Sequence, residues 1–277
     1  MLKRGKSLLS LKKSYSTLRK YCNTNVQQRK KFRRANIEFQ DASKCLEKAE
    51  QFESDCDVKS AVFWYQQASK LNPSDPRALL RLSKCTSDQV FLPTVSETRA
   101  AKRYAEQALR LSRKAIELHS QLSEAYVCHA TNLGRLSIFS DNKEKVKMAG
   151  EIYTTAVEAL RLDPDSDLAA HVLGRWEHEM ASIGPLLRIG AKMLYGDLGD
   201  GCFQKAIRHY EQAIERRPER LIHRVALAKT LMKVNKKEEA ISHLKVALDL
   251  KIEDINARCE RADGISLLKS VGYNEAF

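Results

Sequence analysis

Residues 238–252, EEAISHLKVALDLKI, place Ala240, Leu244, Ala247 and Ile252 at steps of 4, 3 and 5. The same steps recur at Ala206, Tyr210, Ala213, Pro218 and at Ala61, Tyr65, Ala68, Pro73. A small residue at each Ala position lets the second helix of a hairpin lie close to the first. The Leu or Tyr fills the gap between neighbouring hairpins, and Pro ends the helix where the next unit begins. Weaker copies stand at Ser112, Ala115, Ser120 and at Ala156, Ala159, Pro164, the last with Leu160, Leu162 and Asp163 completing the run.

The second small anchors fall at Ala68, Ala115, Ala159, Ala213 and Ala247, separated by 47, 44, 54 and 34 residues. Only the last matches the tetratricopeptide period of about 34. The expected fold is all-α: a right-handed superhelical solenoid of about five tetratricopeptide-like hairpins. Insertions of about 13, 10 and 20 residues are expected in the turns within repeats two, three and four. No single repeat buries its own apolar stripe, so residues 41–252 should form one cooperative unit. In residues 253–277, the stripe Ile255, Cys259, Ala262, Ile265 and Leu268 predicts a helix capping the exposed end of the stack, followed by a short tail.

The 277 residues carry a formal charge of +13, but it is unevenly spread. Residues 1–34 hold 12 Lys and Arg and no acid, leaving 36 basic against 35 acidic groups in the rest. A general attraction of the folded body for nucleic acid is therefore not expected. Hydrophobic content of 43% with 11 Gly and 6 Pro suits a packed helical body. No apolar run reaches the length of about eighteen residues needed for a transmembrane helix.

The leader, residues 1–34, is Ser- and Lys-rich, and a helix there would align Leu8, Leu11, Tyr15 and Leu18. Two readings fit it. One is a mitochondrial presequence cut near Arg19-Lys20-Tyr21-Cys22. The other is a retained basic arm, with Arg29, Lys30, Lys31, Arg33 and Arg34 touching acidic surfaces. The compartment follows from that choice: mitochondrial with the first, cytoplasmic with the second.

Seven single cysteines without CxxC spacing point to reduced thiols and against structural zinc. No phosphate loop, nucleophile elbow or HExxH occurs, since Met180, Ala181 and Ser182 do not complete the motif begun by His178 and Glu179. Gly196, Gly199 and Gly201 have the wrong order for a dinucleotide loop. No catalytic residue, metal ligand or cofactor is nominated, and a non-enzymatic scaffold is expected.

In such solenoids the first helix of each hairpin lines the concave face. The repeat register puts Glu50, Lys84, Thr131, Arg175 and Lys229 into that face, with Arg135, His171 and His178 one turn from a neighbour in it. The expected partner-binding groove is therefore Lys84, Thr131, Arg135, His171, Arg175, His178 and Lys229, a locally positive strip suited to an acidic or extended peptide. The alternative is that these are ordinary solvated charges. The insertion Gly184–Gly201, with Leu186, Leu187, Ala191 and Leu194 at helical spacing, predicts a short helix packed on the stack.

Three stretches, ALLRLSKCTSDQ (78–89), GRWEHEMASIGPLLRIGAKMLYG (174–196) and LAKTLMKVNKKEEAISHLKVAL (227–248), resemble the regulator of microtubule dynamics family. The middle one is the most specific, because its insertion is foreign to general tetratricopeptide proteins. The resemblance implies a cytoplasmic or mitochondria-associated protein that binds microtubules, tubulin being the acidic partner, and supports spindle organisation. A related member implies an alternative, a lipid-binding or transfer module carrying phospholipid at organelle contacts. Glu38-Phe39-Gln40-Asp41-Ala42 is similar to an acidic-tract motif for an endoplasmic-reticulum receptor, but Lys31, Arg33, Arg34 and Lys44 give its flanks the wrong sign.

Overall fold

The computed structural model describes residues 41–92, 94–95, 99–184 and 199–273. The leader with Arg29 to Arg34, and the expected helix within 185–198, lie outside the described residues. Within them the chain forms α1 (Ala42–Ser54), α2 (Val58–Leu71), α3 (Pro76–Asp88), α4 (Arg99–Leu118), α5 (Ser123–Ser137) and α6 (Asn142–Leu162). There follow α7 (Asp167–Ala181), α8 (Phe203–Arg216), α9 (Leu221–Lys233), α10 (Lys237–Asp249) and α11 (Ile255–Ser270). A short 3-10 turn, Gln89–Phe91, follows α3. No strand occurs among the described residues.

The first ten helices pair as five antiparallel hairpins, α1/α2 to α9/α10. Their starts are written in the sequence: Asp41, Asp57, Asp75, Asp141 and Ser166 accept a backbone N–H in the first turn of α1, α2, α3, α6 and α7. Pro76 adds a preset φ at the start of α3. Their ends follow the prolines: α2, α6 and α8 stop two residues before Pro73, Pro164 and Pro218.

Each small anchor is buried. Ala61, Ala68, Ala115, Ala156, Ala159, Ala206, Ala213, Ala240 and Ala247 have essentially no exposure, because the partner helix passes directly over them. Tyr65 fills the space at the first hairpin and donates its hydroxyl to Glu53 Oε2 at 2.7 Å. Tyr210 fills the corresponding space at the fourth, lying flat against Gly174. A Cβ at that glycine would sit 2.9 Å from the Tyr210 ring, so the two residues require each other.

The added length of repeats two to four is accommodated in three ways. In repeat two it forms the 3-10 turn and a linker and lengthens α4 to 20 residues, and in repeat four it separates Ala181 from Phe203. In repeat three the turn is only four residues long, and the additional chain lengthens α6 to 21 residues instead. Continuing a helix satisfies every added N–H and C=O internally, which an inserted loop cannot do.

α11 covers hairpin five, with Leu268, Ala257 and Gly264 against Leu244 and Val225. It also extends beyond that hairpin. Ile255 and Cys259 join the core of α1, α2 and α3, so the last helix reaches the first two repeats. Among the described residues no helix is long and apolar enough to cross a membrane.

Candidate functional site: the concave face and its resident helix

The face formed by α3, α5, α7 and α9 carries Lys84, Thr131 and Arg135, His171, Arg175 and His178, and Lys229 respectively. The concave face is not vacant: α11 lies along it and supplies carboxylates to its cations. Lys84 Nζ lies 2.7 Å from Asp254 Oδ2, 2.8 Å from Glu53 Oε1 and 3.0 Å from Asp88 Oδ2. Lys229 Nζ lies 2.6 Å from Glu260 Oε2 and 2.9 Å from Asp263 Oδ2. Arg135 pairs with Asp88 Oδ1 at 2.8 Å, and its guanidinium stacks 4.3 Å above the Phe91 ring.

Arg175 is hemmed in by neighbouring helices yet remains exposed to solvent, and Glu260 and Glu179 hold its pKa above the ordinary value against burial. Thr131 is exposed on α5. These side chains share one face, and Lys84, Arg135 and Lys229 on it are already paired with carboxylates of the chain itself. The last helix of the same chain, with Asp254, Glu260 and Asp263 turned toward these cations, occupies that face.

The electrostatics agree with the geometry. Burial by itself would raise the Asp254 carboxyl, but Lys84 and the Ala257 amide outweigh it and hold it below the ordinary range. Burial likewise opposes ionisation of Glu260, and Lys229 and Arg175 reverse that effect. For Glu53 the same contest is won by Lys84 and Arg81. Lys84, desolvated by burial, is nevertheless held well above its ordinary value by Asp88, Asp254 and Glu53. Each charge is stabilised only while its partner stays in place.

His171 and His178, both on α7, do not act together. His171 Nδ1 lies 3.0 Å from His223 Nδ1, and His223 Nε2 lies 2.8 Å from Asp167 Oδ2. A carboxylate only accepts, so His223 donates from Nε2 and its bare Nδ1 accepts the Nδ1–H of His171. Arg220 completes the group by pairing with Asp167 and with Glu253. His178 Nδ1 instead contacts Thr230 Oγ1 at 2.8 Å. Burial pushes His171, His178 and His223 below the ordinary histidine value, so they are neutral connectors between α7 and α9. Among the described residues no three His, Cys, Asp or Glu side chains gather as a metal site.

The functional residues missed in the sequence are Asp254, Glu260 and Asp263. They carry the complementary charge for the groove, but lie in a segment whose apolar stripe reads as a cap. Only the mutual signs of Lys84, Arg175 and Lys229 with these acids could have paired them. Asp41 and Ala42, at the end of the acidic-tract resemblance, start α1, with Asp41 accepting from the Ser43 amide at 2.9 Å.

Five stacked hairpins with small anchors and a concave face lined by first helices define a tetratricopeptide-repeat solenoid. A solved thermophilic TPR protein of Thermus thermophilus, TTC0263, has the same fold, with a TM-score of 0.57 at 17% identity over 82% of this chain and 100% of that one. The chain matches the family described as Regulator of microtubule dynamics protein 1-3 over residues 39–270, and it belongs to that family. Regulator of microtubule dynamics protein 1 of Pongo abelii is 25% identical over 209 residues, 75% of this chain and 66% of the relative. The Mus musculus protein is 26% identical over 167 residues, 60% of this chain and 54% of the relative. The chain thus spans just under two thirds of the first relative's length and about half of the second's.

Proposed function

We propose that the protein is a non-enzymatic interaction module that attaches to the acidic surface of microtubules in the cytoplasm. The observation that carries this reading is the combination of family membership with a charge distribution in which positive charge is left over outside the concave face. Tubulin carries acidic, extended tails, the kind of partner that clustered Lys and Arg recognise by charge-assisted hydrogen bonds.

The concave cations Lys84, Arg135 and Lys229 belong to the same reading, since they already bind carboxylates. A partner's acidic segment reaching them must exchange with α11. That helix is anchored by Ile255, Cys259 and Leu268, each buried. A fully buried Leu or Ile contributes about 1.5–3 kcal/mol, so charge alone does not displace it. The outer charges need no rearrangement and are available first.

Cosedimentation with microtubules at increasing salt tests the proposal. Binding should be strong at low salt and fall steeply as ionic strength rises, because exposed charges are screened. It should also weaken when the tubulin tails are removed by subtilisin. A protein that stays in the supernatant at low salt, or whose binding ignores both salt and tails, refutes the reading.

A further inference from the structure

With α11 in place, the densest unmatched positive charge among the described residues lies on the outer face of α4. Arg99, Lys102, Arg103, Arg110, Arg113 and Lys114 are all exposed there. At 3.6 residues per turn they fall within an arc of about 120°. The opposite side of the helix, Ala101, Ala105, Ala108, Ser112 and Ala115, is buried in the solenoid. Only Glu106 and Glu117 share the cationic arc. Neither comes within ion-pair distance of any of the six, and no other carboxylate among the described residues does. This contrasts with the concave face, where Lys84 and Lys229 each touch two or more carboxylates.

The arrangement is unfavourable for the helix itself. Arg99 and Arg103, like Arg110 and Lys114, are four residues apart, a spacing at which like charges repel across one turn. The first turn of α4 holds no acid, so Arg99, Lys102 and Arg103 also oppose the positive end of the helix dipole. Glu106, four residues from Lys102 and Arg110, and Glu117, four from Arg113, offset part of this repulsion; a bound polyanion would offset the rest.

We infer that the outer face of α4 is a docking surface for an acidic, extended protein segment, a carboxylate-rich tail. The inference rests on the proposed acidic partner and says where that partner binds. The six cations form two trios, Arg99/Lys102/Arg103 and Arg110/Arg113/Lys114, with Glu106 between them. Their centres are about eleven residues apart, or about 16 Å along the helix at 1.5 Å per residue. An extended chain at about 3.3 Å per residue covers that distance in about five residues. The surface therefore fits a tail whose acidic groups recur about five residues apart, each group held by guanidinium forks.

The test uses the full chain and two variants of equal charge change. The stripe variant is Lys102→Glu/Arg103→Glu/Arg110→Glu/Arg113→Glu. The control is Lys59→Glu/Lys70→Glu/Lys143→Glu/Lys147→Glu, on α2 and α6. All eight positions are exposed, so both variants should keep the parent helical circular dichroism and melting temperature. Binding is measured to microtubules and, separately, to a soluble polyglutamate peptide. The stripe variant should weaken both by about tenfold or more, while the control changes them only a few-fold.

Equal losses in the two variants would mean that net charge alone matters and would overturn the inference, as would unchanged binding by the stripe variant. Tighter stripe-dependent binding of duplex DNA than of polyglutamate would overturn the assignment to protein carboxylates. Stripe-dependent binding of polyglutamate without binding of microtubules would leave the surface standing and remove the microtubule as its partner. If the parent protein binds neither probe, both readings fall.

Discussion

The ammonium of Lys84 on α3 lies 2.7 Å from the carboxylate of Asp254, the residue that caps α11 by accepting the Ala257 amide at 2.7 Å. One side chain thus starts the last helix and fastens it to the second repeat. The solenoid is held at both ends of its concave face, with Lys229, Glu260 and Asp263 making the second fastening.

Removing either partner should have unequal consequences. Asp254→Ala loses a helix cap and one of three carboxylates around Lys84, which should cost about 1–3 kcal/mol. Lys84→Ala leaves Glu53, Asp88 and Asp254 facing one another without their cation, and about 3 kcal/mol or more is expected, in line with other half-broken buried pairs. Urea denaturation of the two variants compares them, and Asp254→Ala should be the milder. The reverse order would show that Lys84 is not the hub of this cluster.

Truncation after Leu250 should destabilise the chain far beyond the loss of a terminal helix. It uncovers Val225 and Leu244, removes Ile255 and Cys259 from the first core, and leaves Lys84 and Lys229 short of their carboxylates. The expected outcome is a lower melting temperature, increased binding of a hydrophobic dye and self-association in size-exclusion chromatography. A truncated chain that melts like the parent would mean that α11 is a passive appendage.

Gly174→Ala places a methyl 2.9 Å from the buried Tyr210 ring. The overpacking should cost about 1–3 kcal/mol, only partly offset by the gain of up to about 1 kcal/mol in helix propensity. Combining it with Tyr210→Leu, the residue type at the equivalent position Leu244, should recover part of the loss. A double-mutant cycle measures this coupling, and additive effects would contradict the contact.

Stability should fall between about pH 7.5 and pH 5.5. His171, His178 and His223 have depressed values in the folded state, so the unfolded chain takes up protons near the ordinary histidine value while the folded chain does not. The positive neighbours Arg175, Arg220 and Lys229 oppose the charging of His171, and Asp167 favours that of His223. The carboxylates Asp254, Glu260 and Glu53 are depressed as well, and their contribution disappears only below the ordinary carboxylate range. His171→Gln should flatten the decline in melting temperature over the upper window and leave the acid limb unchanged. An identical slope in the variant would exclude His171 as a contributor.

The hairpins were legible in the sequence because their determinants are local. Ala61, Tyr65 and Ala68 lie within two helical turns, Asp57 caps that helix and Pro73 follows its end, so residues within one repeat specify one repeat. The added length of repeat three was misplaced for the same reason: the anchors Ala115 and Ala159 count residues but cannot say whether those residues continue a helix or form a turn. The groove cations were also legible, since Lys84 and Lys229 occupy equivalent places in their repeats.

What closes that groove was decided by the tertiary structure alone. The course of α11 depends on the accumulated curvature of five hairpins, which brings Asp254 to Lys84 and Ile255 to the core of the first repeats. Each repeat contributes a small rotation set by side-chain packing at its interface, and such rotations add over the whole stack. The amino-acid sequence by itself therefore determined the repeating unit, its caps and the equivalent places of Lys84 and Lys229 within their repeats. Whether those charges meet water, a partner or the chain's own last helix was settled by packing between residues far apart along the chain.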